Sequence, residues 1–268
     1  MTLFLLLLLL VLLAIVGRSQ SEKIVVTLLL NSLILISSMV FMIMGFNIIF
    51  IGWLCFISMS LLTLFYQNGI NQKTVSAFIS FLIVTILMSV LIWFLCVRSG
   101  IYGLNERSWQ DEDAVLLNFN ININMVRVTY VVLVFGLLGA VKDSAMAVAT
   151  DTYEVFCNHP DMTFRELFQS GMNIGKDILG VTINTLLFAA IGESILMCQM
   201  YFDCAYSLAE LVNSKSLFQA AAVVIIGGIG VEISIPITSA VLGFLCTTYH
   251  KKTNFWPLNN SGNKKGLE

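Results

Sequence analysis

The sequence predicts an all-helical membrane protein with about seven transmembrane helices and a cytoplasmic C-terminus. Hydrophobic residues make up 58% of the 268-residue chain and charged residues only 11%, against about 25% charged residues in a soluble domain. Mean hydropathy is +0.90. The apolar residues also fall in long blocks, several of them near the roughly 20 residues that cross a ~30 Å hydrocarbon core as a helix. A chain of this kind has too few polar side chains to cover a core in water, so its expected partner is the lipid bilayer. With a net charge of −2 and no basic, aromatic-interleaved patch, nucleic acid is not an expected partner.

The predicted spans are 3–17, 24–45, 46–66, 77–97, 128–149, 178–199 and 218–247. The first is as short as a signal-peptide core, but no basic residue precedes it and Arg18 follows it, which points to a retained helix. A tight turn near Gly45-Phe46-Asn47 separates the second and third. Residues 1–97 thus read as a four-helix apolar scaffold. Residues 98–127 form an outer loop with an acidic cluster (Glu106, Asp111, Glu112, Asp113) and a polar run from Asn118 to Asn124. Residues 128–249 read as a three-helix, polar-lined membrane region, and 250–268 as a cytoplasmic tail. Within that region Thr163 precedes Glu166 by three positions, the spacing of a capping box. It predicts a cytoplasmic amphipathic helix over 163–176 that leads into the sixth span.

Charge placement sets the orientation. With the C-terminus inside, the inner segments hold Arg18, Lys23, Lys73, Arg165, Lys176, Lys251, Lys252, Lys264 and Lys265; the outer ones hold Arg98, Arg107, Arg127 and Lys215. Nine against four follows the positive-inside bias, and seven spans then put the N-terminus outside.

Six cysteines (55, 96, 157, 198, 204 and 246) and two histidines (159 and 250) are scattered, with no CxxC or Cys/His cluster of metal-ligand spacing. The cysteines read as small apolar packing residues, although Cys198 and Cys204 share one membrane edge, where they could pair. No metal or cofactor is expected, and without a phosphate-binding P-loop no nucleotide is either. HExxH and GxSxG are absent, so no metal- or serine-dependent catalysis is expected.

Ionisable groups inside a bilayer cost about 2.5–3.5 kcal/mol on insertion scales and mark functional candidates. Lys142, Asp143, Glu193 and Glu232 fall within predicted spans, and Asp177 at a membrane edge. Asp143 and Glu154 share a helix face with Ala147 and Thr150 between them, a polar stripe descending from mid-membrane. Lys142 points elsewhere and either snorkels or shares a cavity with Asp143. In the sixth span Asn173, Asp177, Gly180 and Asn184 share a face, and Thr185 adjoins it. Gly171 and Gly175 have the small-xxx-small spacing that lets helices approach, and Gly136 and Gly139 are placed to do the same in the fifth. Glu193 reads as an interfacial carboxylate. Glu232 follows Gly227-Gly228 and Gly230 and precedes Pro236, which suggests a bent helix with a buried Glu that bonds freed backbone groups or carries protons. The plainer alternative throughout is structural: an ion pair with a neighbouring helix for Asp143, and packing glue for the rest.

Three stretches, GLLGAVKDSAMAVATDTYEV, FRELFQSGMNIGKDILGVTINTLLFAAIG and GGIGVEISIPITSA, resemble the YibE/F family of bacterial membrane proteins. The earlier pieces NGINQKTVSAF and IYGLNE fit the same pattern, so the likeness covers most of the chain. The chain resembles the shorter, YibF-like member, which implies a multi-pass protein of the bacterial cytoplasmic membrane, accompanied by a second, larger YibE/F-type subunit. The family's usual assignment is membrane transport. Glu193 and Glu232 stand where the family pattern has small or apolar residues. A more distant likeness is to the last helices of SecD/SecF and RND-type exporters; it would give Asp143 the proton-carrying position and make Asn184-Thr185 its polar neighbours on the next helix.

Three functional readings follow. One is a transport or export subunit, proton- or ion-coupled through Asp143, with Lys142, Asp177, Asn184, Thr185 and Glu232 as relay residues and Gly136, Gly139, Gly171, Gly175, Gly180, Gly230 and Pro236 shaping the helices. The second is a non-transporting assembly subunit whose intramembrane charges pair with a partner. The last is an aspartyl intramembrane protease using Asp143 and Asp177; its weakness is that Asp177 follows Gly-Lys rather than completing a GxGD sequence. No residue is therefore assigned as catalytic.

Overall fold

The computed structural model describes residues 20–98, 124–203 and 213–250, with residues 4, 8, 11–13, 15, 207, 209 and 210 as isolated positions. The described residues form helices and turns, with no strand. We number the helices α1 (Ser21–Ile43), α2 (Ile48–Leu61, continued by a π-helical turn over Leu62–Tyr66), α3 (Gln72–Arg98), α4 (Met125–Asn158), α5 (Phe164–Asp203) and α6 (Lys215–His250). All six are long and apolar enough to cross a membrane. The predicted first span 3–17 lies largely outside the described residues, as do nearly all of the loop 98–127 and the tail 250–268.

Local chemistry explains the boundaries. Gly45 takes φ +88°, a left-handed conformation that turns α1 into α2. Asn47 then caps α2, its side chain accepting from the Ile49 N–H at 3.2 Å. Gly69 does the same between α2 and α3 at φ +77°. Asn124 caps α4 by accepting from the Val126 N–H at 3.1 Å. The expected capping box opens α5: Glu166 accepts from the Thr163 N–H at 2.8 Å, and the Glu166 N–H reaches the Thr163 hydroxyl at 3.4 Å. A second box stands between α5 and α6, where Glu210 accepts from the Ser207 N–H at 2.7 Å and from its hydroxyl at 2.8 Å. These bonds hold the Glu210 carboxyl below the usual range.

The helices outrun their apolar blocks. Of the predicted 163–176 helix, Thr163 is the cap and residues 164–176 are the opening turns of α5 itself, continuous with the sixth span, because nothing after the capping box breaks the backbone ladder. Likewise α4 runs on through polar residues to Asn158.

The core lies between α2, α3, α4 and α6, built on Phe56, Phe81, Val84, Met88, Leu137 and Val141. A smaller cluster of Phe156, Leu167, Leu242 and Cys246 ties α4, α5 and α6 together near the turn between α4 and α5. Cys55, Cys96 and Cys246 are buried and free, and Cys198 is free; Cys204 lies outside the described residues. Only 6% of the residues in the most apolar stretch of α5 are buried, against 50% in α4. α5 is therefore a peripheral helix, held along one edge.

Candidate functional site

That edge is made of glycines. A Cβ on Gly175 would collide with the Ile235 side chain of α6, and one on Gly171 would stand 2.6 Å from the Ser239 hydroxyl and 3.1 Å from that of Thr152. A Cβ on Gly230 would strike Leu137 of α4, and one on Gly136 would stand 2.7 Å from Val223. Gly136, Gly171, Gly175 and Gly230 thus let three backbones approach closely. Gly139 and Gly180 were expected to share this role. They do not, because a Cβ on either would meet nothing within 4 Å.

The same contacts fix the register. Residues 136, 137 and 144 of α4 meet 223, 230 and 234 of α6, so these helices run the same way. Residues 171, 175 and 183 of α5 meet 239, 235 and 228 of α6, so α5 runs against both. Ser144 bonds Ser234 at 2.8 Å, and Gly175 packs on the adjacent Ile235. Ser144 and Gly175 therefore lie at one depth. Asp143 and Lys176 each stand one residue to the same side of that level, and Lys142 and Asp177 two residues.

Asp143, Glu154, Asp177 and Glu232 point out of the bundle, and Lys142 is half-buried. The Asp143 side chain is 77% exposed, with the 23%-exposed Lys142 as its ion-pair partner at 3.9 Å. Gly139, Asp143 and Glu154, spaced as one helix face, are all exposed. On α5, Asn184 lies nine residues beyond Gly175, about half a turn round the helix. Since Gly175 faces α6, the stripe Asn173, Asp177, Gly180 and Asn184 faces away from it, and all four are exposed.

The structure does not bring the residues of the relay expected from sequence together. Among the described residues no hydrogen bond or ion pair joins Asp143 to Asp177, Asn184, Thr185 or Glu232. Thr185 donates to its own helix, to the Val181 carbonyl at 2.9 Å. Glu232 is exposed, not buried as its central position suggested, because the faces of α6 that meet α4 and α5 are taken by Gly230, Ser234 and Ile235. Pro236 lies inside an unbroken helix; lacking an N–H, it leaves the Glu232 carbonyl without its usual partner four residues on. The Glu193 side chain lies outside the described residues.

What sequence reasoning missed is a buried hydroxyl seam. Ser144, Thr152, Ser234, Thr238 and Ser239 are all buried. Ser239 donates to the Ile235 carbonyl at 2.8 Å, the usual way to satisfy a hydroxyl within a helix. The Thr152 and Thr238 hydroxyls have no partner. The sequence signal was the four-residue spacing of Ser234 and Thr238, which puts two hydroxyls on one face of α6.

The profile of the family described as YibE/F-like protein matches residues 5–248. No curated protein and no solved structure matches the chain.

Proposed function

The chain belongs to the YibE/F-like family, and we propose that it is a membrane transport or export subunit, proton- or ion-coupled through Asp143. The observation that carries this reading is the placement of Asp143: within a membrane-spanning helix, three-quarters exposed, with Lys142 as its charge partner at 3.9 Å. A carboxylate left against hydrocarbon would cost about 2.5–3.5 kcal/mol or more, so in the working assembly it meets protein or water. Such a group can gain and lose a proton as its surroundings alternate, and Lys142 sets how readily. The hydroxyl seam behind it, with two unpartnered hydroxyls, supplies polar groups for the helices to exchange. The close glycine contacts hold α5 against α6 in a defined register. The positive-inside bias favours a cytoplasmic C-terminus, and the resemblance implies a bacterial cytoplasmic membrane and a second, larger YibE/F-type subunit.

In sealed vesicles carrying the complex, Asp143→Asn abolishes gradient-driven transport while protein levels stay normal. Unchanged transport would overturn the coupling role. The exposure of Asp143 also favours a second reading, a non-transporting assembly subunit. On that reading Asp143→Asn lowers co-purification of the larger subunit, and a charge swap between the two restores it.

A further inference from the structure

We infer that the wedge between α4, α5 and α6 binds a water molecule shared by the hydroxyls of Thr152 and Thr238. Both threonines are fully buried, and neither hydroxyl has a partner. That sets them apart from other buried hydroxyls of the spans. Thr27, Ser80, Thr85, Ser144, Ser234 and Ser239 each donate to a carbonyl three or four residues back in their own helix, the local way to satisfy a hydroxyl in apolar surroundings. Thr152 and Thr238 stand four residues after Val148 and Ser234, whose carbonyls could serve in the same way. Their hydroxyls are turned away from them.

The helix faces show where the two hydroxyls aim. On α6, Ser234 meets α4 through Ser144 at 2.8 Å, while Ile235 and Ser239 meet α5 at Gly175 and Gly171. At 3.6 residues per turn Thr238 stands about 40° round from Ser234 and about 100° from Ser239, so it lies between the two contact faces. On α4, Thr152 is about 80° round from Ser144. Its hydroxyl is 3.1 Å from the point where a Cβ of Gly171 would stand, and the Ser239 hydroxyl is 2.6 Å from that same point. Gly171 thus touches both, which brings Thr152 near the depth of Thr238, the residue next to Ser239. Thr152 and Thr238 face one wedge from two helices, and Gly171 of α5 closes it without a side chain to fill it.

The chemistry of the wedge selects its occupant. Each threonine hydroxyl needs an acceptor for its proton and can itself accept, so the occupant must both donate and accept. Ser239 donates to the Ile235 carbonyl at 2.8 Å and keeps lone pairs free, which adds a third partner. Buried water makes about three such bonds to groups that are otherwise unsatisfied. A cation does not suit the wedge. Every described carboxylate is exposed, and the buried neighbours Val148, Leu167 and Leu242 are apolar, so the charge would be desolvated with no counter-charge. A lipid chain offers no hydrogen bond at all. The inference rests on the packing of α4, α5 and α6, and not on the transport reading.

The test compares Thr→Val variants of the full chain in detergent. With a shared water, Thr152→Val and Thr238→Val should each lower the unfolding temperature. The double variant should fall little further than either single one, because each change releases the same water. Variants that melt at or above wild type would refute the inference, since deleting a hydroxyl that has no partner removes a cost. X-ray radiolytic labelling reads the water directly, because bound water yields hydroxyl radicals inside the bundle. Leu167 and Leu242 are fully buried and stand about one turn from Gly171 and Thr238. Both should be oxidised in wild type, several-fold less in Thr152→Val, and as in wild type in Thr152→Ser, which keeps the hydroxyl. No labelling of either leucine in wild type would count against a bound water. An unfolding temperature that drops when sodium and potassium are replaced by choline would give the wedge to a cation instead.

Discussion

In α1 and α2 the side chains that meet are large, while α4, α5 and α6 meet through glycines and hydroxyls. The first pair leaves an open groove of about 510 Å³ between its helices, lined by Leu33, Phe41, Phe46, Phe50 and Leu54 among others. Its polar contacts include the bond from the Asn31 amide to the Thr63 hydroxyl at 3.1 Å and a side-chain contact between Ser38 and Cys55. In the second group, four glycine contacts and the Ser144–Ser234 bond bring the backbones together. The difference is physical. Lipid tails are as apolar as leucine, so large apolar faces gain little by leaving lipid for each other. Close backbones and buried polar pairs do gain, because lipid offers neither. The first region can be loosened at little cost; the second has a register to lose.

The largest expected effect sharpens that contrast within one residue type. Gly175→Ala and Gly230→Ala each drive a methyl into Ile235 or Leu137, and overpacking of this kind costs about 1–3 kcal/mol. Gly139→Ala and Gly180→Ala put the same methyl into open space and gain up to about 1 kcal/mol of helix propensity. Thermal unfolding of the monomer in detergent should therefore drop for the first two and hold or rise for the last two. Equal effects at all four positions would mean that the register drawn for α4, α5 and α6 is wrong.

The sequence made the six described spans legible because the apolar blocks are long, and it made the family legible because three stretches of α4, α5 and α6 carry the pattern. It also located the capping box at Thr163 and Glu166, since that chemistry is local. The facing of each polar residue was not legible. Helical spacing groups Asp143 with Glu154, and Asn184 with Asp177, but it cannot say whether a shared face turns inward. That depends on which face the glycines claim: Gly175 and Gly171 turn α5 toward α6 and so swing Asn184 outward. Glu232 was misjudged for the same reason. Its depth in α6 is central, but depth and burial are different coordinates in a membrane protein. The hydroxyl seam escaped because serine and threonine read as neutral in a hydropathy profile.

A smaller effect probes the seam. Ser144 and Ser234 bond each other while Ser144 also lies 3.0 Å from the Val141 carbonyl and Ser234 2.8 Å from that of Val231. A double-mutant cycle to alanine should give a coupling near the ~0.6 kcal/mol typical of interhelical bonds in membranes, and at most about 1.7 kcal/mol. Measured by unfolding, a coupling of zero would reduce the seam to independent hydroxyls, each satisfied by its own helix.

The smallest effect is expected in α1. Asn31 donates to Thr63 at the π-helical turn, but its carbonyl oxygen is buried with no partner. Asn31→Leu removes one interhelical bond, worth about 0.6 kcal/mol, and at the same time removes an unsatisfied acceptor whose burial costs about 1–3 kcal/mol. Thr63 keeps its own bond to the Met59 carbonyl at 2.7 Å, so no new orphan is created. The two terms oppose, and thermal unfolding should show a variant as stable as wild type or slightly more so. A clear loss of stability would mean that Asn31 holds α1 against α2 much as the glycines hold α5 against α6, and the contrast between the two regions would fail at its weaker end.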